Sequence, residues 1–158
     1  MADIKVNIRI EGLDEVQERL AYDSLVAPAV ERMLRRAALT IEGEAKGLAP
    51  VDTGRLRASI TSVVEPDRAV IAPAVFYGAH VEFGTRPHWP PLAALQPWAS
   101  RHGFPAGSPG AFLVARAIAR HGTRPQPYMQ PAAEASVDEI TGFAEDAARE
   151  IQEGWERG

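Results

Sequence analysis

The sequence predicts an α+β fold in which one long helix packs on a small antiparallel sheet, accompanied by a C-terminal helix and an inserted helical hairpin. Three observations support this class: an alternating apolar pattern near the start, a long helical stripe after it, and a second helical stripe at the end. The 158 residues are 46% hydrophobic and 24% charged, which is typical of a globular chain that folds in water. We therefore expect residues 1–158 to form a single domain.

The first predicted element is a β-strand. Apolar and polar residues alternate from Ile4 to Glu11, the period-two pattern of a strand with one buried face. Gly12 ends this pattern. Residues 13–21 then carry apolar side chains at spacings of three and four, which predicts a short amphipathic helix.

The longest predicted helix follows. Apolar residues recur with helical spacing over residues 26–48, while charged residues lie mainly on the opposite face. Asp23 or Ser24 is suited to cap the first turn, and Pro28 falls early enough that its missing N–H costs little. Pro50 is expected to end the helix because the residue before a proline disfavours helical angles.

A turn and a β-hairpin are predicted next. In the segment 51–54, the Asp52 carboxylate can accept bonds from the amides that follow it, and Gly54 supplies a backbone conformation that other residues resist. Residues 56–64 and 68–72 favour extended pairing and are separated by a proline-containing connection. We interpret these two segments as a hairpin.

Residues 89–122 differ in composition from the rest of the chain. Prolines and glycines punctuate two helical patterns, one around 92–99 and the other over 111–120, which predicts a helical hairpin. Similar hexapeptides flank it, since 83–88 and 121–126 both contain Gly-Thr-Arg-Pro. We interpret this similarity as one kind of turn used at the entrance and at the exit, because it is too short for a repeat architecture.

The final predicted element is a helix that begins at Pro131 and runs to Trp155. Apolar residues keep helical spacing throughout this segment, and acidic residues dominate the opposite face.

Composition excludes several classes of protein. The absence of cysteine excludes disulfides, thiolate metal sites and cysteine nucleophiles. The first residues lack the features of a signal peptide, and no apolar run approaches the roughly 20 residues that cross a bilayer, so we expect no membrane contact and a location in the cytoplasm of the producing cell. A net charge of −4 disfavours a DNA-binding accessory that neutralises many phosphates, although this class stays open as an alternative.

The sharpest catalytic alternative is a metal-dependent hydrolase. His80, Glu82 and His88 lie within one short segment and could join Asp52 to supply nitrogen and oxygen ligands. Their spacing matches no established ligand signature, and His80 and Glu82 share a face only on a strand. No serine nucleophile motif and no phosphate loop are present. We therefore predict that the chain is not an enzyme and has no catalytic residue, no metal site and no cofactor.

Two blocks, Ala49–Ile60 and Phe76–Thr85, carry the most specific sequence signal. Together they resemble the neck or tail-completion (head-tail connector) proteins of long-tailed bacteriophages and prophages, similar to minor tail protein Z. The resemblance resumes at Pro125–Ala132, and it departs at Gly78 and at the insertion 89–122. The positions to which it assigns a structural or interface role are Pro50, Asp52, Thr53, Gly54, Arg55, Leu56, Ser59, Tyr77, Glu82, Phe83, Gly84, Thr85 and Pro131.

The resemblance implies a structural virion protein at the head-tail junction. Such a protein forms a homo-oligomeric ring, expected to be a hexamer, which completes the tail and joins it to the DNA-filled head. Its partners would be head-closure or adaptor proteins and tail-terminator or tail-tube proteins, with assembly in the host cytoplasm. An alternative within this class is a tail terminator that caps the tail tube.

Two hypotheses follow from this resemblance. Arg55 is expected to pair with Glu82 and so to tie the two blocks together. Genome DNA is expected to pass through the lumen of the ring without specific binding, because a net-negative subunit does not hold phosphates.

Overall fold

The structure is a computed structural model that describes residues 4–11 and 25–157. Within these residues it contains three strands and seven helices, which confirms the predicted α+β class. In chain order the elements are β1 (Val6–Arg9), α1 (Ala27–Leu48), α2 (Arg55–Ser59), β2 (Ile60–Val64), β3 (Arg68–Pro73), α3 (Gly78–Phe83), α4 (Leu92–Arg101), α5 (Ser108–His121), α6 (Met129–Ala135) and α7 (Val137–Arg157). The helix predicted over 13–21 and the proposed cap residues Asp23 and Ser24 lie outside the described residues.

The chain divides into two compact units. The first consists of Met1–Phe76 with Tyr128–Gly158, and the second is Tyr77–Pro127, which contains the predicted insertion 89–122. That residues 1–158 fold as a single domain stays a prediction.

The sheet of the first unit has the strand order β1-β3-β2, and both pairings are antiparallel. In the central strand β3, Ile71 pairs with Val6 on one side and with Ser62 on the other. Ile71 is fully buried, whereas Val63, which points to the opposite face of the sheet, is 60% exposed. The alternation predicted for β1 is confirmed, because exposure alternates along this strand in step with the sequence.

The long helix α1 supplies the core of the first unit. It packs on β2 and β3 and also against α6 and α7, as the predicted helix-on-sheet arrangement requires. The side chains that it buries most completely are Leu34, Ala37, Ala38, Ile41 and Ala45. Four of its buried positions are alanines, whose small side chains let the neighbouring elements approach closely.

Ion pairs lie along the exposed edge between α1 and α7. Arg32 pairs with Glu150, and Arg36 pairs with Asp146 at 3.3 Å while its guanidinium lies 3.9 Å from the ring centroid of Phe143. These arginine and carboxylate side chains are about half exposed. Such pairs contribute little to stability, so the apolar stripe of α7 is the main source of its attachment.

One predicted strand segment is wrong. Residues 56–59 form most of the helical turn α2, and the hairpin consists only of β2 and β3. The N–H of Ala58 donates to the carbonyl oxygen of Gly54 at 2.9 Å, and the Ser59 hydroxyl donates to the carbonyl oxygen of Leu56 at 2.8 Å. These local bonds satisfy the backbone inside a helical turn, so the ladder begins only at Ile60.

The closing helix is also not continuous. It is interrupted at Ser136, which separates α6 from α7, and α6 begins at Met129 instead of at Pro131. The N–H of Ser136 is shared between the carbonyl oxygens of Ala132 and Ala133, and its hydroxyl donates to Ala132 at 2.8 Å. A buried serine that bonds back to the preceding turn in this way tightens the backbone locally.

The second unit contains the predicted helical hairpin, which is confirmed. Helices α4 and α5 pack against each other through the buried residues Ala99, Ala111 and Ala115. Gly110 allows the start of α5 to lie against the preceding loop, because a Cβ atom at this position would be 2.0 Å from the carbonyl oxygen of Pro105. Among the helices that the structure describes, none has the length and apolar character needed to cross a bilayer.

Candidate assembly motifs

The first block begins where α1 ends. The N–H of Ala49 donates to the carbonyl oxygen of Ala45 at 2.9 Å, and Ala49 then adopts an extended ψ of 126°. This extended residue precedes Pro50, which agrees with the predicted end of the helix. The turn that follows leads to Gly54, which has φ 78° and ψ −5° and precedes α2. A Cβ atom on Gly54 would meet nothing within 4 Å, so the requirement for glycine here comes from the backbone conformation.

The first block has an inner side and an outer side. Leu56 is buried and Ser59 bonds to its carbonyl oxygen, while the carbonyl of Ser59 accepts from the N–H of Ala74 at 2.8 Å. These two residues therefore fix the turn to the start of the hairpin. Asp52, Thr53 and Arg55 are exposed. The block thus presents polar and charged side chains from a constrained backbone.

A polar cluster joins the end of α1 to β2 near this block. The Glu42 carboxylate accepts from the Lys46 ammonium at 2.6 Å through Oε1 and from the Ser62 hydroxyl at 2.6 Å through Oε2. Burial favours the neutral acid, but the bonds and charge from Lys46 and Ser62 outweigh it and leave the pKa of Glu42 lowered. Sequence reasoning did not find this cluster. Its only visible signal was the Glu42 and Lys46 spacing of four on one helix.

Residues 78–83 of the second block are helical, so His80 and Glu82 do not share a face as they would on a strand. Its helix α3 follows Tyr77, whose carbonyl oxygen accepts from the N–H of Val81 at 3.1 Å. Glu82 is only 2% exposed, whereas Phe83 is 57% exposed. The second block therefore buries the Glu82 carboxylate and exposes the Phe83 ring.

The flanking hexapeptides of the insertion pair with each other. Thr85 and Thr123 form an antiparallel bridge in which each N–H donates to the other's carbonyl oxygen at 3.2 Å. The Thr123 hydroxyl also donates to the Thr85 hydroxyl at 3.1 Å. We call Gly84, Thr85, Gly122 and Thr123 the Gly-Thr clasp. The repeated sequence is thus explained by a near-symmetric pairing that closes the base of the insertion.

Both glycines of the clasp are sterically required. Gly84 has φ 68° and ψ −174°, and Gly122 has φ 71° and ψ −161°, a region that is essentially restricted to glycine. A Cβ atom on Gly84 would lie 2.4 Å from the carbonyl oxygen of Thr123, and one on Gly122 would lie 1.9 Å from that of Thr85. The close pairing of the two chains therefore needs glycine at both positions.

The structure does not bring the proposed metal ligands together. His80 is exposed on α3, Glu82 is buried, and His88 is exposed with its Nδ1 2.9 Å from the carbonyl oxygen of Arg86. Within the described part of the chain, no three His, Cys, Asp or Glu side chains lie close enough to hold a metal ion. The geometry gives the hydrolase alternative no support.

The remaining motif positions are structural in character. Pro131 lies half-buried in the first turn of α6, where its missing N–H breaks no helical bond, and the adjacent Tyr128 and Met129 are buried. Arg55 lies in the first unit and Glu82 in the second. Their pairing, like the interface role of the motif residues, stays a prediction.

The motif residues of both blocks thus shape turns and helix ends. A family model described as "Bacteriophage HK97-gp10, putative tail-component" matches residues 14–84. The resemblance to a phage tail-component family is therefore confirmed over residues 14–84, which include the first sequence block and the second as far as Gly84. No curated protein and no solved structure matches the chain.

The family match supports coarse conclusions about the function. A phage tail component has a structural role in the virion and contacts other phage structural proteins. Such a role does not require catalysis, and that the chain is not an enzyme stays a prediction.

Proposed function

We propose that this chain is a structural subunit of the phage neck, which completes the tail and joins it to the DNA-filled head. The observation that carries this proposal is the family match over residues 14–84, which includes the first motif block and the second as far as Gly84. The constrained turn at Gly54 and the pairing around Gly84 support it, because both present surface side chains from a rigid backbone. A subunit that acts by assembly needs such fixed surfaces.

The assembled state that we propose is a closed homo-oligomeric ring, expected to be a hexamer, in the virion neck. Identical subunits close into a ring through head-to-tail contacts between two different patches. The ring would contact head-closure or adaptor proteins on one side and tail-terminator or tail-tube proteins on the other. Assembly takes place in the cytoplasm of the host, and genome DNA passes through the lumen without specific binding.

The exposed members of the motif blocks are the best candidates for partner contacts. Asp52, Thr53 and Arg55 lie on the surface of the first block, and Phe83 exposes more than half of its side chain in the second. Arginine and aromatic residues are enriched at protein interfaces. The buried members Leu56 and Glu82 are instead expected to hold these blocks in shape.

Electron microscopy of particles from cells that lack this chain tests the proposal. We expect filled heads and separate tails of normal length, because head and tail assemble but are not joined. Tails of abnormal length would point to the tail terminator, since a missing cap leaves the tube unlimited. Normal, infectious particles would remove the structural role altogether. Expression of the intact chain in the same cells is the control and should restore joined particles.

A further inference from the structure

The charge of this chain is divided unevenly between its two units. Residues 77–127 contain five arginines and a single glutamate, which gives them a formal charge of +4, and the whole chain carries −4, so −8 remains for the rest. That glutamate, Glu82, is buried. The surface of the second unit therefore carries arginine without any exposed carboxylate.

Four of the five arginines have no partner for their guanidinium group in the described part of the chain. The guanidinium groups of Arg86, Arg116, Arg120 and Arg124 are exposed and make neither an ion pair nor a hydrogen bond there. The arginines of α1 behave differently, since Arg32, Arg35 and Arg36 each pair with a carboxylate. Four exposed and unpaired cations in one unit are a surface suited to an anionic partner.

Apolar side chains lie beside the arginines on α5. Phe112 and Leu113 are 46% and 47% exposed, and Arg116 and Arg120 follow at intervals of one helical turn. The Phe112 ring contacts the ring of Trp89 edge to face, with 5.7 Å between centroids. We call Phe112, Leu113, Arg116 and Arg120 the basic hairpin face.

An acidic surface of complementary character is present in the first unit. The helix α7 packs on α1 with its apolar side, and no residue of α7 is fully buried. Asp138, Glu139, Glu145 and Glu153 are exposed, and their carboxylates make no ion pair in the described residues. We call these four residues the acidic helix face. The first two also lie in the first turn, where the helix dipole favours them, so Glu145 and Glu153 are the more informative pair.

We propose that the basic hairpin face of one subunit docks on the acidic helix face of a second copy of this chain. This inference rests on the proposed ring, and it identifies the two patches that a head-to-tail contact needs. Two further observations favour a protein partner over DNA. The second unit contains no lysine, and its arginines are accompanied by exposed aromatic and leucine side chains, as is typical of protein interfaces. Four phosphate contacts would also give only weak, nonspecific DNA binding, opposed by the −8 of the remaining chain.

The test compares the intact chain with two matched charge reversals. The hairpin variant carries Arg116→Glu with Arg120→Glu, and the helix variant carries Glu145→Arg with Glu153→Arg. Sedimentation velocity of each protein at low salt gives its self-association constant. We expect each variant to weaken self-association by at least about tenfold, because like charges then face each other across the contact. A mixture of the two variants is expected to associate nearly as well as the intact chain.

This recovery on mixing is specific to a heterologous contact. The hairpin variant has two acidic faces and the helix variant has two basic faces, so neither associates with itself but each complements the other. A control variant with Arg9→Glu and Arg35→Glu changes the net charge as much as the hairpin variant but lies in the first unit, and it is expected to associate normally. Circular dichroism checks folding, and Arg116→Gln with Arg120→Gln replaces the reversal if the hairpin variant does not fold.

Several results would overturn the proposal. The first is an intact chain that stays monomeric at about 100 µM in low salt, where electrostatic attraction acts over about 10 Å or more. The others are a hairpin variant that self-associates as well as the intact chain, and a mixture of the two variants that does not regain association. Loss of duplex DNA binding in the hairpin variant with unchanged self-association would assign the arginines to DNA instead. Failure here leaves the neck role intact if particles lacking the chain still show unjoined heads and tails, so the two proposals fail separately.

Discussion

The Gly-Thr clasp gives the sharpest prediction about stability. Replacement of Gly122 by alanine adds only a methyl group, but its Cβ atom would lie 1.9 Å from the carbonyl oxygen of Thr85. Backbone atoms cannot tolerate this distance, so the bridge between Thr85 and Thr123 must open. Gly122 directly follows α5, so the added atom lies at the base of the insertion.

The expected cost has two parts. Alanine at φ 71° and ψ −161° is strained by about 1–3 kcal/mol. Opening the bridge removes two backbone hydrogen bonds, between Thr85 and Thr123, which are worth about 0.5–1.5 kcal/mol each. We therefore expect Gly122→Ala to destabilise the second unit by about 2–6 kcal/mol, with the strain and the lost bonds contributing similar amounts.

Hydrogen exchange measured by mass spectrometry reports the local effect. The amides of Thr85 and Thr123 are expected to lose protection in Gly122→Ala, and a thermal melt gives the accompanying loss of stability. The matched control is Gly103→Ala. Gly103 has φ 78° in the same unit but no atom within 4 Å of an added Cβ, so it carries only the conformational cost of about 1–2 kcal/mol.

The outcome that refutes this reasoning is a Gly122→Ala variant no less stable than Gly103→Ala, with the protection of both threonine amides unchanged. Such a result would mean that the backbone adjusts without opening the bridge, and that the repeated Gly-Thr sequence has another cause.

Three further predictions concern the first unit and the insertion. Glu42→Gln is expected to lower the free energy of unfolding by about 2 kcal/mol at pH 7. Burial opposes ionisation of Glu42, but its two hydrogen-bond donors lower its pKa in the folded state. Urea denaturation at several pH values should therefore show that the stability difference from the intact chain shrinks as the pH falls through this folded-state pKa. Leu34→Ala, at a fully buried position, is expected to cost about 2–5 kcal/mol by the same method, whereas Leu39→Ala in the same helix, at a position 59% exposed, should stay within about 0.5 kcal/mol. Replacement of residues 89–122 by a short glycine-serine linker is expected to preserve cooperative unfolding of the first unit, measured by circular dichroism, because the chain forms two compact units. An insoluble product would contradict this expectation.

The regular elements were predictable where burial on one face imposes a period. The alternation in β1 survives as alternating exposure, and the apolar stripe of α1 becomes the buried core of the first unit. The inserted hairpin was predictable from its composition, since prolines and glycines separate two short helical patterns. In each case the hydrophobic pattern determines the element before any long-range contact is considered.

The errors lie where local hydrogen bonds compete with a pattern. The segment 56–59 carries no strong period, and the left-handed Gly54 together with the Ser59 hydroxyl favours a helical turn. The apolar stripe around Ser136 fits one helix, but its buried hydroxyl bonds back to Ala132 and interrupts it. Neither outcome follows from hydrophobic spacing, because each depends on local backbone conformation and on a serine hydroxyl that bonds to a nearby carbonyl oxygen.

The candidate sites were predictable only in part. The repeated Gly-Thr-Arg-Pro sequence was visible, but that the two copies pair with each other depends on contacts 38 residues apart along the chain. The partnership of Glu42 with Ser62 is equally nonlocal, at a separation of 20 residues. A sequence shows which residues are able to pair, and the fold determines which of them meet.

A net charge of −4 describes neither unit of this chain. The second unit carries +4 and the remainder −8, and this division changes what the charge implies for DNA. Arginines that are neutralised in a contact between subunits do not add positive charge to the lumen of a ring, which favours passage of DNA through the lumen without adhesion. Arginines that line the lumen would instead hold phosphates and slow the genome in a salt-dependent way. Reversal of Arg116 and Arg120 separates these accounts, because it abolishes assembly in the first case and weakens only the DNA contact in the second.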